Sequence, residues 1–231
     1  MEQNRLPVTI KEVVDYLNFY VNKVTGAWYS PEEACTVLHN GQLALYSDLK
    51  ARYATSQYVK DALSPFRASY NFTTAISGNV IVPSNLNYLD LLDIQIYFNI
   101  SNRELFAPVK LVNEDERANR LNSQRDPVTA TNPIGEQIGE RTFRLYPAGV
   151  YNGNVTFLTN PIKPVFAYTV ISGRVIVYDS ANSTQLQWRI SEINSVVLKA
   201  LQTLGINISA NDLAEWGNQK SQQNYMGENR S

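Results

Sequence analysis

An α+β fold is predicted for this chain: N-terminal helices, a central, mostly antiparallel, sandwich-like β region with a long inserted loop, and C-terminal helices. Three observations predict it. Apolar residues recur at helical spacing near both ends, and β-branched or alternating runs fill the middle. The 231 residues are also enough to bury a core without disulfide or metal staples. Residues 1–65 are expected to form a helical region and 66–182 the β region, with its insertion at 113–139. Residues 183–223 are expected as C-terminal helices and 224–231 as a tail, all in one compact structural unit.

The first helix starts at a capping box, Thr9 with Glu12, and carries Ile10, Val13, Val14, Leu17, Val21 and Val24 at helical spacing to a stop at Gly26. Ser30-Pro31-Glu32-Glu33 is a second start signal, with Ser at the N-cap, Pro at the first helical position and Glu at the third. Ala34, Val37, Leu38, Leu45, Leu49 and Tyr53 then line one side of a long helix, which Asn40-Gly41 is expected to kink or split. A shorter helix covers Gln57 to Leu63 and ends before Ser64-Pro65.

Beyond Pro65 strand-like runs follow: 66–76, 80–83, 91–100, 106–112, 142–146, 155–159, 166–171 and 175–179. Turns are expected at Ser77-Gly78-Asn79, Asn152-Gly153 and Ser172-Gly173. The insertion from Asn113 to Gly139 opens with a short charged helix (114–123) and continues as a long mobile loop containing Pro127, Asn132-Pro133, Gly135 and Gly139. Ile190, Ile193, Val197, Leu201 and Leu204 form the stripe of a helix closed by Gly205. Ser209 and Asp212 start a last helix anchored by Leu213 and Trp216, and the polar stretch from Asn218 reads as a tail that orders against a partner.

Charge is balanced, 20 basic against 21 acidic residues, which disfavours a strongly basic nucleic-acid binder and excludes an acidic solvating tail. Uncharged polar residues and 14 tyrosines instead suit wide, wet contact surfaces. With Cys35 as the only cysteine, no intramolecular disulfide forms. No secretory leader and no membrane span are expected, so the sequons at Asn71, Asn99, Asn154, Asn182 and Asn207 are read as composition rather than glycan sites.

The chemistry-bearing motifs are sparse. No dinucleotide fingerprint, phosphate-binding loop or nucleophile elbow occurs. Cys35 and His39, four apart on one helix face, are either a thiolate–imidazole pair or half a metal site, or an inert thiol beside a hydrogen-bonded imidazole. The inert reading is favoured because no second Cys/His pair exists. Ser47-Asp48-Leu49-Lys50 matches a Ser-x-x-Lys pattern whose companion motifs are missing. Asp90 and Asp93 are either an acid–base pair or solvent-facing carboxylates, the latter favoured. Pro161-x-x-Pro164 is read as a rigid connector in preference to a polyproline ligand. The run Glu114-Asp115-Glu116 with Arg117, Arg120 and Arg125 is a solvated ion-paired helix or a contact to a neighbouring subunit. No enzyme, cofactor or metal is expected.

Three stretches carry a resemblance when taken in order: Val82-Pro83-Ser84-Asn85-Leu86-Asn87-Tyr88; Leu145-Tyr146-Pro147 with residues 155–168; and Val177-Tyr178-Asp179-Ser180, Leu186-Gln187-Trp188 and Leu204-Gly205-Ile206-Asn207-Ile208. Over residues 80–222 the chain resembles ring or adaptor proteins of the neck and tail of short-tailed, crAss-like bacteriophages. The resemblance implies a structural virion protein, made in the host cytoplasm, that forms a closed homo-oligomeric ring, commonly of twelve copies. Its partners would be copies of itself, the portal and adjacent tail ring proteins, with non-specific proximity to DNA in the exit channel and no membrane. Subunit contacts are then expected at Arg117, Arg120, Pro127, Pro133, Trp216 and Tyr225. The alternative is a virion-associated carbohydrate- or receptor-binding β module using exposed aromatics.

Overall fold

The computed structural model describes residues 9–100, 103–171 and 175–206. It has the expected α+β architecture. The chain forms two compact units, Met1–Pro65 with Pro161–Ser231, and Phe66–Asn160.

In the first unit, helix α1 (Ile10–Thr25) starts at Thr9, whose hydroxyl accepts from the Glu12 N–H while the Glu12 carboxylate accepts from the Thr9 N–H. It ends at Gly26, left-handed at φ 70°, whose N–H donates to Asn22 O. Its buried side carries Ile10, Val13, Val14, Leu17 and Val21 as expected. Val24 is exposed in the last turn, and Tyr16, Asn18 and Tyr20 complete the stripe instead. Helix α2 (Pro31–Lys50) opens on the Ser30/Glu33 capping box. It runs through Asn40-Gly41 as one element and is not split.

The reason is packing. Helix α5 (Ile190–Thr203) crosses α2 at Gly41, where a Cβ would fall 2.6 Å from the Ala200 backbone nitrogen. A residue without a side chain lets the two backbones approach. Ile193, Val196, Val197, Ala200 and Leu201 of α5 are buried, whereas Ile190, expected on the stripe, is half exposed in the first turn. Gly205 (φ 75°) follows the helix end as expected. Helix α3 (Gln57–Ala62) precedes a single 3₁₀ turn at Ser64–Phe66.

Strands β9 (Tyr168–Ile171) and β10 (Val175–Tyr178) pair antiparallel as a separate two-stranded ribbon. They were expected within the β region of residues 66–182, but they group with the helices. Hydrogen bonds make the assignment physical: Tyr168 Oη donates to Glu32 of α2 (2.7 Å), and Lys163 Nζ donates to Thr36 Oγ1 (3.1 Å). Alternation identifies a strand but not the core that it joins.

The second unit is a sandwich of two four-stranded sheets. One contains β1 (Arg67–Thr73), β3 (Tyr88–Ile100), β4 (Arg103–Pro108) and β8 (Asn152–Thr159), in the order β1-β8-β3-β4, all antiparallel. The other contains β2 (Asn79–Ile81), β5 (Lys110–Leu111), β6 (Ile134–Gly139) and β7 (Thr142–Tyr146), in the order β2-β7-β6-β5, with only β5–β6 parallel. Phe72, Ile94, Ile96, Val155 and Phe157 of the first sheet meet Val80, Phe143 and Leu145 of the second in one apolar cluster.

Two sequence expectations fail here. Asn152-Gly153 is not a turn but the start of β8, a central strand. A Cβ on Gly153 would lie 2.3 Å from Gln95 O and 2.4 Å from the Phe72 ring, so glycine marks a close approach. Beyond its opening helix, which was expected, the insertion is also more ordered than a long loop. Helix α4 (Glu114–Leu121) is capped by Asn113 Oδ1, a Thr129–Asn132 bridge follows, and 134–139 is strand β6.

Candidate functional site

Alternation along a strand sends every second side chain to the opposite face. Because Phe72, Val155, Ile94, Ile96 and Ala107 point into the core, their neighbours form the outer face of the first sheet. Cross-strand register places Thr73, Asn152, Tyr97 and Phe106 in one row, Asn71, Asn154, Gln95 and Pro108 in the next, and Ser69, Thr156 and Asp93 in a third. These three rows are thus an array of hydroxyls and carboxamides, with one carboxylate and one aromatic pair, and Arg67 continues the face along β1.

The array is internally oriented. Thr73 Oγ1 donates to Asn152 Oδ1 (2.8 Å), Asn154 Nδ2 to Asn71 Oδ1 (2.8 Å), Thr156 Oγ1 to Asn154 Oδ1 (3.1 Å) and Gln95 Nε2 to Asp93 Oδ2 (2.7 Å). Tyr97 and Phe106 meet edge to face, centroids 4.9 Å apart, with Phe106 58% exposed. A phenylalanine this open on a strand contributes little to the core.

The ribbon of β9 and β10 is a second surface. Val170 and Ile176 form one cross-strand pair, and Val170, Ile171, Ile176 and Val177 are exposed. Among the described residues neither edge of the ribbon is paired within a larger sheet.

Of the expected subunit contacts, Arg117, Arg120, Pro127 and Pro133 lie among the described residues. Arg117 donates to Glu136 Oε2 (2.6 Å), which also accepts from Tyr146 Oη (3.3 Å), so it pins α4 onto β6. Glu136 pushes the Arg117 guanidinium further toward its charged form. Arg120 pairs with Asp126. Both guanidiniums therefore make ion pairs within the chain. Pro133 is buried and its carbonyl accepts from the Lys110 N–H, which removes it from the accessible surface of this subunit. Pro127 is exposed. Trp216 and Tyr225, with the expected last helix and tail, lie outside the described residues.

Cys35 and His39 do not form an activated pair. The thiol is buried, and burial pushes its pKa up; the Phe166 backbone and Lys163 act weakly in the opposite direction. His39 is committed to Gln42, a fully buried residue one turn on. The Trp188 indole can only donate, so it fixes Gln42 Oε1 as acceptor (3.2 Å). Gln42 Nε2 then faces Ile162 O and His39 Nδ1, both at 2.8 Å. Nδ1 must accept, so the imidazole is neutral with its proton on Nε2. Burial, and behind it the Lys163 cation, hold its pKa below the ordinary value. This carboxamide hub was missed in the sequence because Gln42 sits among apolar positions with no motif around it.

No protein-family model matches the chain, and no curated protein matches it.

Asp90 and Asp93 lie within β3, next to its two register shifts, rather than beside a strand end. Asp93 accepts from Gln95. Pro161 and Pro164 are buried in the connector between β8 and β9, whose Ile162 N–H donates to Gln187 Oε1 (3.0 Å). Ser47 is exposed on α2. No group of three or more His, Cys, Asp or Glu side chains suited to a metal occurs among the described residues. No helix among them is long and apolar enough to cross a membrane.

Proposed function

We propose that the chain is a structural virion subunit, forming with copies of itself a ring in a phage neck or tail. The ring would link portal to tail components and surround the DNA exit channel. The observation that carries the reading is the β9–β10 ribbon. A two-stranded ribbon is marginal by itself in water, and open strand edges with exposed aliphatics invite pairing with another chain. Val170, Ile171, Ile176 and Val177 present such groups on both faces. A closed ring needs a head-to-tail contact in which each copy offers two different surfaces, and a ribbon that inserts against a neighbour is one of them. The resemblance over residues 80–222 supports the same reading, as does the near-neutral charge, which suits a channel that must release DNA.

The test is a Val170→Asp/Ile176→Asp double variant introduced into the virus that encodes the chain. Loss of the subunit from particles, with the purified variant still folded by circular dichroism, is the expected result. Normal incorporation of the variant contradicts the role of the ribbon.

A further inference from the structure

We propose that the outer face of the first sheet, centred on Asn71, Asn154, Gln95 and Asp93 and flanked by Tyr97 and Phe106, binds a neutral, extended glycan. The inference does not rest on the assembly reading, because it concerns a different unit and a different surface.

Three properties of the face select this ligand. First, the polar groups of its three rows are carboxamides and hydroxyls, uncharged apart from Asp93, and most are held in orientation by one another. Asn154 occupies Asn71 Oδ1, which leaves the Asn71 amide hydrogens for a ligand acceptor. Gln95 donates to Asp93 Oδ2, which leaves Gln95 Oε1 and Asp93 Oδ1 for ligand hydroxyls. Donors and acceptors side by side on one sheet face match the vicinal hydroxyls of a sugar, which both donate and accept. Pre-oriented groups also lose little freedom when the ligand arrives.

Second, the aromatic pair lies at one end of this array. Phe106 is 58% exposed and buttressed by Tyr97, so its ring offers an apolar surface for the C–H face of a pyranose. Hydroxyl recognition beside ring stacking separates sugars from other solutes: the polar groups give orientation and the ring gives affinity.

Third, rival ligands fit poorly. A nucleic acid needs cations along its backbone, yet the cation of this face is Arg67 at the start of β1, outside the three rows, which hold Asp93 and no Lys or Arg. A stable protein partner needs an apolar, desolvated centre, whereas here the centre is carboxamide and the apolar group sits at the rim.

The experiment titrates cellohexaose, xylohexaose, mannohexaose and N-acetylchitohexaose into the purified full chain by isothermal calorimetry and heteronuclear NMR. At least one binds with a millimolar or tighter Kd and shifts the amides of β1, β3, β4 and β8. Phe106→Ala and Gln95→Ala each weaken that binding by about tenfold, as loss of an anchor residue in a small site does. Lys11→Ala, in the other unit, leaves it unchanged. Absence of binding to all four at about 10 mM, a concentration that would reveal even weak sites, overturns the proposal. Binding that survives Phe106→Ala and Gln95→Ala undiminished also overturns it. The measurement uses no virion, so its failure leaves the assembly reading to its own test.

Discussion

Gly41 on α2 and Ala200 on α5 meet backbone to backbone. A Cβ at Gly41 would lie 2.6–2.7 Å from the nitrogen, Cα and Cβ of Ala200. Helix propensity alone favours alanine at Gly41 by up to about 1 kcal/mol. The clash is with rigid backbone, so overpacking at about 1–3 kcal/mol wins. Gly41→Ala should therefore lower stability in urea unfolding, although the same change in an exposed helix raises it.

Gly153→Ala tests the same logic in the second unit. Gln95 O and the Phe72 ring already occupy the space of the added methyl group. Restoring fit would push β8 from β3 or turn Phe72 out of the core. The expected loss is about 1–3 kcal/mol in urea unfolding. Phe72→Leu combined with Gly153→Ala should recover part of it, since the smaller ring-free side chain vacates the site.

Asn18, buried on α1, closes the loop before α2. Its Nδ2 donates to Tyr29 O (3.1 Å) and its Oδ1 accepts from the Tyr29 N–H (3.0 Å). Asn18→Leu leaves both backbone groups without that partner and should cost about 1–3 kcal/mol. Faster hydrogen exchange at Tyr29, measured by NMR, would locate the effect.

His39 supplies a pH dependence of known sign. Its pKa in the folded chain lies below the ordinary 6.5, because burial and the Lys163 cation disfavour the imidazolium. The unfolded chain then binds the proton first on acidification, and stability falls with falling pH. The contribution is complete above about pH 6.5 and is lost progressively between there and the lower folded pKa. His39→Asn, whose Oδ1 takes the place of Nδ1 as acceptor from Gln42, should flatten this segment. A wild-type stability profile that matches the variant's between pH 7 and 5 would contradict the assignment.

Arg117 latches α4 onto β6. Its 2.6 Å bond to Glu136, flanked by Tyr146 Oη, holds α4, which has no buried residue of its own. Glu136→Gln should fray α4, seen as faster amide exchange in 114–121, with little change in global stability.

Much of the fold was legible because its signals are local. Both capping boxes, Gly26 and Gly205 act within a turn of where they stand, and strand alternation marked most of β1–β10. What was not legible depends on partners distant in sequence. Gly41 and Gly153 read as breakers, but Ala200, Phe72 and Gln95 make them close approaches. The ribbon joins the helices through Tyr168–Glu32, a contact no periodicity reveals. The outer-face array was invisible for the same reason: Asn71, Gln95 and Asn154 become one surface only through the β1–β8–β3 register. Arg117 and Pro133 looked available because the partners that engage or bury them, Glu136 and the sheet around β6, are set by the tertiary fold.

Copy number tests the proposed ring in a virion most directly. Quantitative peptide mass spectrometry on gradient-purified particles of the encoding virus would give the amount of chain relative to the portal protein. The account predicts a ratio near one, as a ring matched to the portal requires. Absence of the chain from the particle would contradict it.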